Sequence, residues 1–127
     1  MSIKFYVIEK GQPGVSGGGV KKFYASTKAN GEVSLAGLTK SIEKMSTVSG
    51  ADIRAVLYAM VDVMINELSD GKIVRLGELG SLKVNISSEG RDSSDDVNAK
   101  CIKNSKVNFS PGKQIKEMLH NLEYQKI

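Results

Sequence analysis

The sequence predicts an α+β fold, and three patterns indicate it. Apolar residues recur at helical spacing after Ser34 and again after Ser49. Apolar and polar residues then alternate after Gly71, as in half-buried strands. Ser110-Pro111 precedes a last amphipathic stretch. With 127 residues, of which 40% are apolar and 25% charged, the chain has the composition of a small globular protein.

Residues 1–33 are predicted to form an N-terminal β-strand extension, and residues 34–127 the main structural unit. Residues 3–8 and 20–27 are rich in β-branched and aromatic side chains, which favour strands. Between them, residues 11–19 contain five glycines and one proline, which predicts a flexible loop. We interpret the two strands as a hairpin or a strand pair. Its aromatic side chains are expected to pack in the core rather than to stack on bases.

Two helices are predicted next. Ser34 is placed to cap the first, and Ser49 with Asp52 resembles a capping box for the second. Twelve of the eighteen residues 51–68 are apolar, which exceeds the stripe of about 100° that a helix on one surface needs. Burial of this excess against a second subunit is therefore expected.

In the second half of the chain, the sequence pattern predicts a strand, a turn, a second strand, an arm, a third strand and a helix, in that order. The strands are expected at residues 72–76, 82–86 and 101–109, with a tight turn at 77–80 and an exposed arm or loop at 87–98. The last helix is expected to begin with Ser110 as its cap and Pro111 at its first position.

Charge is distributed unevenly along the chain, whose net charge is +4. Residues 1–30 carry five lysines and one glutamate, and residues 99–127 carry six lysines and two glutamates. The middle, residues 31–98, carries seven basic and eleven acidic residues. If the two ends meet in space they form a basic surface suited to nucleic acid. Ordinary solvated lysines are the alternative interpretation.

Several functional classes are disfavoured. Cys101 and His120 are the only cysteine and histidine, so an intrachain disulfide is impossible and a His/Cys metal site is nearly excluded. No catalytic constellation is recognised, and we expect no enzyme activity, no cofactor and no small-molecule substrate. The chain has neither a signal-peptide pattern nor about 20 consecutive apolar residues, so we expect a cytoplasmic protein that does not enter membranes.

Two motifs on this element order resemble the bacterial histone-like HU/IHF family. DGKIVRLGELGSL at residues 70–82 resembles its Gly-aromatic-Gly-x-aromatic turn, with Leu79 and Leu82 at the aromatic positions. VNFSPGK at residues 107–113 resembles its Phe-x-Pro-Gly-Lys entry to the last helix. With the strands that precede them, the chain looks like the HU-HIG type of Bacteroidetes.

This resemblance implies an IHF/HU-like fold and an intertwined homodimer. A helical base would carry a β-saddle formed by both chains, and two β-arms would reach into the DNA minor groove. The implied function is histone-like binding and condensation of double-stranded DNA in the nucleoid, with little sequence specificity.

The arm departs from the family pattern. Asn85 and Ser87 stand where the family has arginines, and no proline occurs at residues 90–96, where the family has its wedge. Residues 87–99 hold four acidic residues and one arginine. The net negative charge of this segment is repelled by phosphates. DNA binding is therefore expected to depend on the saddle and the basic ends, and kinking by a proline is not expected.

Seven basic residues are the candidate DNA contacts. Lys113 is expected at a helix start, where free N–H groups attract anions. The spacing of Lys100, Lys103 and Lys106 places Lys103 on the opposite face of a strand from the other two. The full set is Arg75, Lys83, Arg91, Lys100, Lys103, Lys106 and Lys113. Lys21, Lys22 and Lys28 either extend this surface or serve solubility.

A second hypothesis belongs to another class of protein. The fold could serve as a dimeric structural or protein-interaction module with weak or lost DNA binding, using its N-terminal strands to pair with partners. The acidic arm and the missing arginines favour it.

Overall fold

The computed structural model describes all residues 1–127, and the chain divides into two compact units. One unit contains residues 1–38 and 119–127, and the other contains residues 39–118. The elements are β1 (Ile3–Lys10), β2 (Lys22–Lys28), α1 (Leu35–Met45), α2 (Gly50–Ser69), β3 (Val74–Arg75), β4 (Gly80–Ser88), β5 (Ile102–Pro111), α3 (Lys113–His120) and β6 (Tyr124–Lys126). The mixed α+β character is as predicted. The proposed division at residue 33 stays a prediction about which parts fold independently.

The first unit contains a three-stranded sheet in the order β2-β1-β6. β1 and β2 are antiparallel, as expected, and Lys4 lies opposite Lys28 while Lys10 lies opposite Lys22. The glycine-rich loop between them contains a 3-10 turn, and the N–H of Gln12 donates to the Gly18 carbonyl at 2.6 Å. Gly17 and Gly18 have φ of +73° and +81°, a conformation that glycine adopts without strain.

β6 is the one strand that the sequence analysis did not predict. It runs parallel to β1, and Tyr124 lies beside Ile3. The N–H of Ile3 donates to the Glu123 carbonyl at 2.8 Å, and the N–H of Ile127 donates to the Phe5 carbonyl at 3.0 Å. The C-terminal segment therefore completes the sheet of the N-terminal hairpin.

Both helix caps expected from the sequence are confirmed. Ser34 Oγ accepts from the N–H of Gly37 at 3.2 Å at the start of α1. Ser49 Oγ accepts from the N–H of Asp52 at 3.2 Å at the start of α2. These bonds satisfy donors that the first helical turn leaves free.

α2 keeps much of its apolar surface open in the single chain. Ile53 is only 7% exposed, and α2 contacts β3 and β4. Val56 and Val63 on one flank, and Val61 and Ile65 on the other, are 49–63% exposed. Ile53 and Cys101 are the only buried apolar side chains of the chain. No helix combines the length and the apolar character needed to cross a membrane.

The second unit contains an antiparallel sheet in the order β3-β4-β5. β3 has two residues, Val74 and Arg75, and is shorter than the strand predicted at 72–76. The expected tight turn is a 3-10 turn at Gly77–Leu79. Apolar side chains of β4 and β5 alternate with polar ones, so that Leu82, Val84 and Ile86 share one face.

The predicted start of the last helix was wrong. Pro111 is the end of β5, where it lies opposite Gly80, and α3 begins at Lys113. The N–H of Gly112 donates to the Leu79 carbonyl at 3.0 Å, and the Gly112 carbonyl accepts from the N–H of Lys116 at 3.0 Å. Pairing with the turn therefore overrides the local cap pattern of Ser110-Pro111.

The acidic segment, residues 89–101, turns back on itself. Two 3-10 turns occur at Ser94–Asp96 and Ala99–Cys101, and Cys101 Sγ lies 3.6 Å from the Asp96 carbonyl. All residues from 86 to 100 are exposed, as predicted for this region. However, β4 ends at Ser88 and β5 begins only at Ile102. The segment between them is therefore not the two-stranded β-arm that the family resemblance implied.

Candidate nucleic-acid interface

One face of the β3-β4-β5 sheet is entirely polar. Residues that lie opposite each other in paired strands share a face, so the register assigns each side chain. Arg75 lies opposite Ser81, Lys83 opposite Asn108, and Asn85 opposite Lys106. We call this surface the β4 polar face. It comprises Arg75, Ser81, Lys83, Asn85, Ser87, Asn104, Lys106, Asn108 and Ser110.

Three cations form a diagonal line across this face. Lys83 is two residues from Ser81, the partner of Arg75, and two residues from Asn85, the partner of Lys106. Diagonal neighbours in such a sheet are about 7–8 Å apart, so the line spans about 15 Å. The remaining side chains carry amides and hydroxyls, which bind phosphate and sugar oxygens. A cavity of about 180 Å³ lies among Asn85, Ile86, Ser87, Asn104 and Lys106.

No carboxylate neutralises these three cations. Arg75, Lys83 and Lys106 have no acidic side chain within 4.0 Å. Lys72, just before β3, differs because its Nζ lies 3.1 Å from Glu67 and 3.5 Å from Asp70. The hydrogen bond to Glu67, the charge of Glu67 and the hydrogen bond to Asp70 raise the pKa of Lys72. The positive charge of the β4 polar face therefore remains available to an anion.

Lys100 and Lys103 do not join this line. Lys100 lies in the 3-10 turn Ala99–Cys101, which precedes β5, so it is not a strand residue. Lys100 therefore does not share a strand face with Lys106, and the prediction from their spacing was wrong. Lys103 lies where the strand register shifts, between the pairs of Ser87 and Ser88.

Arg91 and Lys113 occupy different settings. Arg91 Nη2 donates to Glu89 Oε2 at 2.9 Å, so a carboxylate of the acidic segment already engages it. Lys113 is the first residue of α3, as expected, and its side chain is exposed. The structure thus brings together Arg75, Lys83 and Lys106, and leaves the other four predicted residues outside their line.

The neutral members of the β4 polar face were not among the site residues predicted from the sequence. Asn108 and Ser110 alternate with the apolar residues Val107, Phe109 and Pro111 along β5, and Asn104 and Lys106 continue the same face. Asn85 and Ser87 were considered only as positions that lack arginine. The alternation of polar residues was the available signal, and it indicates one continuous polar face rather than isolated lysines.

Comparison with known proteins identifies the family. The HU-HIG family model, described as an HU domain fused to a wHTH, Ig or glycine-rich motif, matches residues 1–126. The chain belongs to the HU-HIG family. This confirms the resemblance inferred from the two motifs. The match includes residues 1–33, so the family model also covers the N-terminal strands of this HU-HIG protein.

A solved structure shows a similar fold. The crystal structure of a bacterial protein from Bacteroides vulgatus ATCC 8482, whose name proposes DNA binding, matches with a TM-score of 0.67 at 12% identity. The match covers 99% of this HU-HIG protein and 48% of that chain, so the present chain spans about half its length. No curated protein matches the sequence.

Proposed function

We propose that this HU-HIG protein is a histone-like, architectural protein of the bacterial nucleoid that binds double-stranded DNA as a homodimer. The β4 polar face supports the proposal, because Arg75, Lys83 and Lys106 lie in line there without a carboxylate. Lys103 and Lys113 would extend the contact along β5 and α3, with Lys100 and Arg91 at its margin. The name of the structurally similar Bacteroides protein agrees with DNA as the ligand.

The open apolar surface of α2 supports the homodimer. Val56 and Val63 are 63% and 58% exposed, and a stable protein of this size needs a larger core than two buried apolar side chains. A second copy presents the same apolar flanks and could cover them through a two-fold interface. Such a dimer carries six cations on its two β4 polar faces.

Little sequence specificity is expected of this contact. Short rows of cations, amides and hydroxyls on a sheet bind phosphates and sugars, which carry no direct sequence information. The acidic segment has no proline to wedge between base pairs, and four of its side chains are carboxylates: Glu89, Asp92, Asp95 and Asp96. We therefore assign most of the affinity to the β4 polar face and little to this segment.

A salt titration of duplex binding tests the proposal. Because the affinity would come from phosphate neutralisation, it is expected to fall by about 10³-fold between 50 and 200 mM salt. Arg75→Gln, Lys83→Gln and Lys106→Gln combined remove six charges per dimer and should lower the salt slope by about 5. Lys40→Gln, Lys44→Gln and Lys72→Gln remove equal charge elsewhere and serve as the control. No binding by the wild type at 50 mM, or equal losses in both variants, would contradict the proposal.

Sedimentation velocity tests the homodimer. Val56→Glu places a charge on the open flank of α2, and we expect monomers where the wild type gives dimers. In a monomeric protein this exposed position would tolerate the change within about 0.5 kcal/mol. Asp62→Asn, also exposed on α2, is the control and should remain dimeric. A wild-type protein that sediments as a monomer at micromolar concentration would refute this part of the proposal.

The acidic segment favours one alternative function, a dimeric module that binds other proteins. Its four carboxylates are exposed, and only Glu89 is paired with a cation. Partners captured from a lysate should persist after nuclease treatment if this function is the principal one, and they should disappear if DNA links them to the protein.

A further inference from the structure

The N-terminal sheet also has two unlike faces. The register places Lys4, Tyr6, Ile8 and Lys10 of β1 on the same side as Lys22, Tyr24, Ser26 and Lys28 of β2, with Gln125 of β6. We call this surface the lysine face. The other side carries Ile3, Phe5, Val7, Phe23, Ala25 and Tyr124, together with Glu9, Thr27 and Lys126. Of the residues within the three strands, the single carboxylate, that of Glu9, thus points away from the lysines.

The four lysines face each other as like-charge pairs. Lys4 lies directly opposite Lys28, and Lys10 lies directly opposite Lys22. Like charges at directly opposed positions destabilise a sheet. No carboxylate lies within 4.0 Å of any of the four. The face therefore carries repulsion that a bound polyanion would relieve.

One neighbouring side chain orients a lysine of the face, and a cavity lies at the end of the face away from it. Lys10 Nζ lies 4.9 Å from the centre of the Tyr24 ring, a cation–π contact that holds this lysine over the face. Holding it there before binding lowers the entropy cost of fixing a long side chain. A cavity of about 340 Å³, lined in part by Ser2, Lys4, Lys28 and Asn30, lies at the other end.

The spacing of the two lysine pairs suits a long anion. They are six residues apart along β1, a separation of about 20 Å at 3.4 Å per residue. This length corresponds to about six base-pair steps of duplex DNA. A single small anion could neutralise one pair, whereas a continuous phosphate backbone reaches both.

We propose that the lysine face binds the phosphate backbone of double-stranded DNA as a second contact, separate from the β4 polar face. This second contact goes beyond the proposed function, because the residues of the proposed function all lie in the other unit of the chain. Protein interfaces depend on apolar anchors at their centre, and membrane-surface elements insert apolar side chains. The apolar groups here are the half-buried Ile8 and the rings of Tyr6 and Tyr24, and Tyr24 already lies against Lys10. With four cations and no carboxylate around these few groups, nucleic acid fits better than either.

Duplex binding by a matched pair of full-length variants tests this second contact. Lys4→Gln, Lys10→Gln, Lys22→Gln and Lys28→Gln combined should weaken binding at least tenfold at 100 mM salt. The salt slope should fall by about 3.6 if one lysine face of the dimer meets the DNA, and by about 7 if both do. Lys40→Gln, Lys44→Gln, Lys72→Gln and Lys126→Gln remove the same charge outside both faces, and should change the affinity less than threefold. Equal effects of the two variants would overturn the inference.

Thermal unfolding separates a binding role from a structural one. Because the substitutions remove two like-charge pairs, the melting temperature of the lysine-face variant should equal or exceed that of the wild type. A lower melting temperature together with weaker DNA binding would overturn the inference, because the lysines would then act by holding the sheet.

The β4 polar-face variant distinguishes failure of this inference from failure of the proposed function. If that variant alone loses duplex binding, the proposed function holds and the second contact is refuted. If the lysine-face variant alone loses binding, the second contact holds and the β4 polar face is refuted as a DNA contact, whereas a wild type that binds no duplex refutes the proposed function itself. Poly-glutamate and phosphatidylserine vesicles are further probes. Binding of either that depends on the lysine face, with duplex binding unchanged, would refute the nucleic-acid assignment.

Discussion

The two three-stranded sheets of the molecule each combine an apolar face with a basic one, but they arrange their cations differently. On the β4 polar face each cation lies opposite a neutral residue, as Lys83 does opposite Asn108. On the lysine face the cations lie opposite each other. The first arrangement carries no like charge at the directly opposed position, whereas the second costs stability. Cross-strand register, rather than the number of lysines, therefore separates the two surfaces.

The sheets also differ in what fixes their geometry. Two glycines, Gly80 and Gly112, join the β3-β4-β5 sheet to the turn and to α3. Gly80 has φ of +139°, and a Cβ at Gly112 would overlap the Glu78 carbonyl. In the N-terminal sheet the corresponding constraint comes from backbone pairing between β1 and β6. One sheet is therefore sensitive to an added methyl group, and the other to a lost hydrogen bond.

The largest effect is expected from Gly112→Ala, which breaks the corner of the β3-β4-β5 sheet. The new Cβ collides with backbone rather than with a flexible side chain, so the free energy of unfolding should fall by about 2–4 kcal/mol. Urea denaturation of this variant measures the loss. Gly90→Ala is the control, because nothing lies within 4 Å of its added Cβ and its φ is ordinary. Similar stability in the two variants would mean that the corner is not tightly packed.

An intermediate effect is expected from Gln125→Pro, which removes an N–H donor from β6. The parallel pairing with β1 should weaken, and the free energy of unfolding should fall by about 1–2 kcal/mol. Hydrogen exchange at Ile3 and Phe5 should become faster, while β4 and β5 keep their protection. Gln125→Ala keeps the N–H and should behave as the wild type. Faster exchange throughout both sheets would show that the two units unfold together.

The smallest effect is expected from Lys22→Glu, which converts one like-charge pair of the lysine face into an opposite-charge pair with Lys10. The melting temperature should rise by about 1–3 °C at low salt, and the rise should vanish in about 1 M salt. Lys126→Glu lies beside Phe5 on the other face of the same sheet, where no cation is paired with it, and should give no such rise. An equal rise in both variants would mean that general charge, and not register, is responsible.

Features determined by neighbouring residues were predictable from the sequence. The caps at Ser34 and Ser49, the glycine-rich turns and the alternation along β4 all depend on residues a few positions apart. The two family motifs also depend on local spacing. These signals placed α1, α2 and the β4-β5 pair correctly, and with them Lys83 and Lys106 of the candidate site.

Features determined by distant residues were not predictable. β6 has three residues, too few for a recognisable period, and it exists because β1 lies beside it. Ser110-Pro111 has the local pattern of a helix start, but pairing with Gly80 keeps Pro111 in β5. The lysine face likewise follows from register, since Lys4 and Lys28 are far apart in the chain.

The parallel pairing of β6 with β1 has a consequence for synthesis in the cell. β1 leaves the ribosome well before β6, its neighbour on one side, has been translated. At roughly 5–20 residues per second, the 113 residues between Lys10 and Tyr124 take about 6–23 s. During that interval one edge of β1 remains open to any nascent chain nearby. Charged side chains on that strand, Lys4, Glu9 and Lys10, then discourage pairing with the wrong molecule.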